Sequence, residues 1–127
     1  ISVHENYIKS GRLDEMPDLI RQLFHMENPP TAILATNDMI LEQVLIYAKN
    51  NHLTIPNDFS LIGIDDVSFA SFYNPPITTV SQPSFEMGKR SARLLLDKID
   101  QKEQEQPSEI IRLNPVINHR ESVQKLN

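Results

Sequence analysis

Cysteine is absent from the 127 residues, which excludes a disulfide framework and a thiolate metal site and is compatible with a reducing compartment. Glycine is scarce, with three in all, so no glycine-rich loop is available to cradle a phosphate. The four histidines, His4, His25, His52 and His119, are widely spaced and show no ligand pattern. No hydrophobic run approaches a membrane span, and none has the form of a signal peptide. Positive charge is also in short supply, with 12 basic residues against 17 acidic and a net charge of -5. The basic residues are scattered, which argues against DNA binding by this segment itself, because neutralising phosphates takes clustered lysine and arginine.

What is present describes an ordinary soluble domain: 39% of residues are hydrophobic and 23% charged, enough apolar material for a core without the bias of a disordered or membrane chain. This length suits one domain, able to bury roughly two-thirds of its unfolded surface. The chain starts at isoleucine and opens with Ile1-Ser2-Val3, which reads as strand material. A fragment of a longer protein is the expectation.

The chain is organised around Ser60-Leu61-Ile62-Gly63-Ile64-Asp65-Asp66, an apolar run that stops at two adjacent carboxylates. Such a run suits a strand covered on both faces, as in a parallel sheet sandwiched by helices. In open α/β sheets ligands sit beyond the carboxyl ends of strands, which places Asp65 and Asp66 at the functional edge. Around this centre, residues 1–8 read as a short strand and loop, and residues 14–27 as a helix with Leu19, Ile20, Leu23, Phe24 and Met26 on its apolar face. Residues 31–36 read as a second buried strand, and Asn37-Asp38 as the cap of a helix bearing Ile40, Leu41, Val44, Leu45 and Ala48. The loop 66–76 holds Phe69, Phe72 and Tyr73, an aromatic cluster that reads either as an interface or as packing beneath the loop. Residues 77–81 are strand-like, and a helix over 84–100 follows Gln82-Pro83. Gly88, Ala92, Leu95 and Ile99 share one face of that helix. A polar connector over 101–108 leads to a final strand over 109–118, interrupted by Pro115. The order β-α-β-α-β-β-α-β predicts an α/β fold, a parallel sheet with helices on both faces.

Asp65 and Asp66 could in principle serve as metal ligands or as an acid/base pair. Adjacent residues on an extended chain point to opposite sides, however, so both cannot face one substrate unless the chain turns. With no nucleophile–base constellation elsewhere, the sequence does not read as an enzyme, and no metal or cofactor is expected. Asn37 could simply cap its helix, and Asp38 or Asp66 could do the same for local backbone amides.

Four blocks carry a resemblance. These are Pro30-Thr-Ala-Ile-Leu-Ala-Thr-Asn-Asp38, Ile55-Pro-Asn-Asp-Phe-Ser-Leu-Ile-Gly-Ile-Asp-Asp66, Pro75-Pro-Ile-Thr-Thr-Val-Ser-Gln-Pro83 with Met87-Gly88, and Arg112-Leu-Asn-Pro-Val-Ile-Asn-His-Arg-Glu-Ser122. In this order they resemble the C-terminal part of the effector-binding domain of LacI/GalR-type transcriptional repressors. The resemblance implies a periplasmic-binding-protein-like domain of two α/β lobes with ligand in the cleft between them. Residues 1–83 would be the C-terminal lobe, lacking its first βα unit and an arginine the family commonly uses to grip effector. Residues 84–108 would be a crossover helix and connector belonging to the N-terminal lobe, and residues 109–127 a return strand and tail. The family's ligand-contacting positions fall on Asn37, Asp65 and Gln82, side chains whose donors and acceptors suit a polyol. Gln43 stands where the family usually carries a small glycine, and His52 where a helix-ending glycine is common.

The function this implies is the effector-binding part of a cytoplasmic, ligand-responsive repressor. It would bind a sugar, sugar phosphate or nucleobase-like metabolite, with no membrane partner. It would work as a homodimer through Ile40, Leu41, Val44, Phe69, Phe72 and Tyr73, and reach operator DNA through a headpiece absent from this chain. The competing reading is an extracytoplasmic sugar-binding protein of a transporter. In either case the apolar face at Gly88, Ala92, Leu95 and Ile99 lacks its lobe. A second copy, or refolding onto the chain's own sheet, is expected to cover it.

Overall fold

Each apolar run that ends at a polar turn contributes a strand. The computed structural model describes residues 4–100 and 110–125. Its strands are β1 (Ala32–Ala35), β2 (Ser60–Ile64), β3 (Thr78–Ser81) and β4 (Val116–Asn118), paired in that order as one sheet. β1 and β2 are parallel, with Ala35 opposite Gly63, and β2 and β3 are parallel, with Gly63 opposite Thr79. β4 is antiparallel to β3, so the parallel sheet expected from the βα repeats covers three strands and not the fourth. Val116 pairs with Ser81, which means that the chain re-enters the sheet at the carboxyl end of β3 and must run backwards. β4 is shorter than the strand expected over 109–118, because Pro115 has no N–H to donate and residues 110–115 are irregular.

The strand expected over 1–8 is also absent among the described residues. Glu5–Tyr7 form a 3-10 turn instead, in which the Tyr7 hydroxyl donates to the Asn28 carbonyl at 2.9 Å. β1 is therefore an edge strand among the described residues.

The helices are α1 (Met16–Phe24), α2 (Asp38–Asn50), α3 (Ser68–Phe72) and α4 (Ser84–Asp100). α1 is shorter than the expected 14–27: a 3-10 turn, Leu13–Glu15, precedes it, and it ends at Phe24, five residues before Pro29. Met16, Ile20 and Leu23 bury its inner face. α3 lies inside the stretch expected to be loop, and Ala70 anchors it in the core.

Side chains of a strand alternate between faces, so Ala35, Leu61, Gly63, Ile77 and Thr79 share one face. α2 presses on it with Leu41, Val44, Leu45 and Ala48, all buried. The approach is close over Gly63, where an added Cβ would stand 2.8 Å from a Leu41 methyl. α1 packs outside α2, with Phe24 stacked on Tyr47 and edge-on to Phe59. On the opposite face, Ile64 and Val80 look towards Met87 and Arg90 of α4 across an open recess of about 470 Å³. Beyond that start, α4 leaves the layers. None of its residues is buried, and Phe85, Leu95 and Leu96 are well exposed. The refolding expected to cover this face does not occur in the single chain. Among the described residues, no helix is long and apolar enough to cross a membrane.

Candidate functional site

The carboxyl ends of β1, β2 and β3 form one edge, and each leads directly into a polar residue. Asn37 is extended, with φ -158°, and caps α2: its Oδ1 accepts from the Ile40 N–H at 2.8 Å. The capping alternative is thus realised, and it commits the oxygen of this side chain while its amide N–H groups remain donors. Asp38 likewise accepts from the Met39 N–H at 2.8 Å. Asn37 stands two residues beyond Ala35, and Asp65 two beyond Gly63, and Ala35 and Gly63 are register partners. The two polar residues therefore sit level on neighbouring strands.

Asp65 turns the chain. Its φ of 74° lies in the left-handed region, which costs a non-glycine residue about 1 kcal/mol and which aspartate tolerates better than most. Its N–H still donates to the Val80 carbonyl at 2.9 Å, so the turn is tied to β3. Gln82, the first residue after β3, donates from Nε2 to Asp65 Oδ1 at 2.8 Å. Asp65 and Gln82 are thus brought together. The edge offers a carboxylate, a primary-amide pair of donor and acceptor, and the amide donors of Asn37, a set suited to vicinal hydroxyls.

Asp66 does something the sequence did not suggest. Rather than capping local amides, its Oδ1 accepts from Thr79 Oγ1 at 2.6 Å and from Arg120 Nη2 at 2.8 Å. Arg120 also donates from Nη1 to the Ile77 carbonyl at 2.7 Å. Thr79 is fully buried, and the Asp66 and Arg120 side chains are 28% and 19% exposed. The hydrogen bond from Thr79 holds the Asp66 carboxyl below the usual carboxylate range, and Arg120 adds to the effect against the opposing pull of burial. The two adjacent carboxylates occupy different surroundings and take different partners, so they are not one acid/base pair. Arg120 carries no local signal: it lies 54 residues from Asp66 on a segment whose position only the sheet defines.

Of the residues assigned to a subunit contact, Leu41 and Val44 are buried in the chain's own core and are unavailable to a partner. Ile40, Phe69 and Tyr73 are half-buried against that core, and only Phe72, 75% exposed, stands clear. The open side of α2 carries Met39 and Ile46 instead. Their i, i+7 spacing was readable, but the helical pattern alone did not say which face met the sheet.

The family model for a periplasmic binding protein-like domain matches residues 2–123. A probable HTH-type transcriptional regulator, EndR of Paenibacillus polymyxa, is 91% identical over 100% of this chain, which spans 38% of that protein. Among solved structures, a transcriptional regulator CelR–cellobiose complex superposes with a TM-score of 0.79 at 28% identity, covering 96% of this chain and 37% of that one. A LacI family transcriptional regulator from Enterococcus faecium with bound ribose gives a TM-score of 0.72 at 30% identity, covering 91% of this chain and 41% of that one. The chain thus spans about two-fifths of the length of each.

Proposed function

The chain belongs to the periplasmic binding protein-like domain family, in its LacI-type regulator branch, and from that premise we propose that it is the effector-binding and dimerisation part of a DNA-binding transcriptional regulator. The effector is a sugar-like small molecule held by Asn37, Asp65 and Gln82. The observation that carries this reading is the hydrogen bond from Gln82 to Asp65 at the carboxyl ends of adjacent strands, with Asn37 level beside them. Similarity to regulators solved with cellobiose and ribose supports the ligand class. Operator DNA is engaged through a domain outside this chain, in keeping with its net charge of -5. Effector binding acts by favouring one of two arrangements of the lobes in a homodimer, which requires different affinity for the two. A transport receptor is not favoured, because the regulators above share both the fold and this chain's sequence.

Calorimetry of the full-length regulator with cellobiose, ribose and a panel of related sugars tests this. At least one sugar is expected to bind and to alter operator affinity. Asp65→Asn keeps an acceptor for Gln82 and tolerates the left-handed turn, but loses the charge. It is expected to weaken binding about tenfold or more, since a hydrogen bond to a charged group contributes roughly 1.5–3 kcal/mol. An Asp65→Asn protein that binds as well as its parent would remove Asp65 from the site.

A further inference from the structure

Asp65 holds an uncommon backbone conformation at the point where its carboxylate must be aimed, and its own contacts do not explain what keeps it there. The next residue does. Asp66 is drawn back over the buried Thr79 by the Thr79 hydroxyl and by Arg120, while the Asp65 N–H is bound to Val80. With the N–H of Asp65 fixed on Val80 of β3 and the side chain of Asp66 drawn back to Thr79, one residue earlier on the same strand, the chain between them turns sharply, with Asp65 at φ 74°. Arg120 is fixed in its turn. Its N–H donates to Thr78 Oγ1 at 3.0 Å and its guanidinium to the Ile77 carbonyl, and Asn118, the residue opposite Thr79, donates to the Thr79 hydroxyl at 3.4 Å.

We propose that Asp66 and Arg120 are positioning residues for effector binding: their ion pair over Thr79 sets the left-handed turn at Asp65 and so aims the Asp65 carboxylate at Gln82 and the ligand. This makes the return segment after β4, distant in sequence, a working part of the site. It rests on the reading of Asp65 as an effector-binding residue, and it adds two groups that touch no ligand.

The test compares Arg120→Met and Asp66→Asn with Ser122→Ala in the full-length regulator. Ser122 is a matched control. It fastens the same return segment, accepting from the Thr78 N–H at 2.8 Å and donating to the Leu61 carbonyl, and its hydroxyl does not hydrogen-bond to Asp66. Crystal structures of the variants form the first arm. In Arg120→Met the Asp65–Gln82 hydrogen bond is expected to be lost or the Asp65 turn to relax, and in Ser122→Ala both are expected to persist. Unchanged Asp65 geometry in both Arg120→Met and Asp66→Asn would overturn the proposal. In the second arm, cellobiose and ribose are the calorimetric probes. Arg120→Met is expected to weaken binding about tenfold, with Arg120→Lys restoring part of it and Ser122→Ala within twofold of the parent. Equal weakening by Ser122→Ala would reduce Arg120 to a general fastening. If the parent binds neither sugar, the assignment of effector class fails, and the crystallographic arm still decides the positioning role. Asp66→Asn, which keeps an acceptor for Thr79, serves where Arg120→Met does not fold.

Discussion

α2 and α4 start alike and end differently. Each follows directly after a parallel strand, and each carries apolar residues at helical spacing. Yet α2 buries Leu41, Val44, Leu45 and Ala48, while the longer α4 buries nothing. The difference lies outside the helices. α2 returns over β1 and β2, where Gly63 lets Leu41 come close, whereas α4 runs away from the edge of the sheet. Periodicity therefore shows that a face requires cover and leaves open what supplies it.

The comparison is broken most forcefully at its packed end. Leu41→Ala removes a fully buried side chain beneath the sheet and is expected to cost about 2–5 kcal/mol in urea unfolding. Gly63→Ala attacks the same contact from the strand: the new methyl would stand 2.8 Å from a methyl of the fully buried Leu41, which must shift to admit it. A loss of about 1–3 kcal/mol is expected, and pairing it with Leu41→Ala should recover part of that loss, since the smaller residue opens room. A Gly63→Ala chain as stable as its parent would mean that α2 is not seated as closely as described.

The ion pair of Asp66 and Arg120 over Thr79 is probed by acid. The Asp66 carboxyl is depressed in the folded state by Thr79 and Arg120. Its contribution is therefore complete above the unfolded carboxylate range and is lost as pH falls through the lower folded value. The charged hydrogen bonds are part-exposed, so about 1 kcal/mol is at stake. Stability of the parent should fall more steeply below about pH 4 than that of Asp66→Asn, and parallel curves would show that the pair contributes no proton linkage. At the far end of α2, His52 holds φ 56° while its N–H bonds to Lys49 and that of Leu53 to Ala48. This is a helix ending that favours glycine, so His52→Gly should stabilise the chain by about 0.5–1 kcal/mol in thermal melts.

The strands that place the candidate site were legible because each is an apolar run stopped by polar residues. Asn37, Asp65 and Gln82 fell at strand ends for that reason, and α4 was legible from its spacing. What was not legible was set by contacts between distant segments. The direction of β4 depends on where α4 delivers the chain, and the 3-10 turn at Glu5–Tyr7 replaces a strand that finds no partner among the described residues. The roles of Asp66 and Arg120 needed the sheet register that brings residue 120 beneath residue 66. The short α3 escaped notice because five residues are too few for a helical period to stand out against loop.

The smallest expected effect is the one that sharpens the comparison most. Leu95 is 61% exposed on α4, so Leu95→Ala in this chain removes almost no buried surface, and alanine is at least as good a helix former. Unfolding of dilute chain should change by less than about 0.5 kcal/mol, against several for Leu41→Ala at the same helical periodicity. In the full-length regulator, where a second lobe would cover this face, the same substitution should cost about 2 kcal/mol or more. A cost of that size in the isolated chain that grew with protein concentration would identify a second copy as the cover. A large cost independent of concentration would mean that α4 lies against its own sheet, and the contrast between the two helices would disappear.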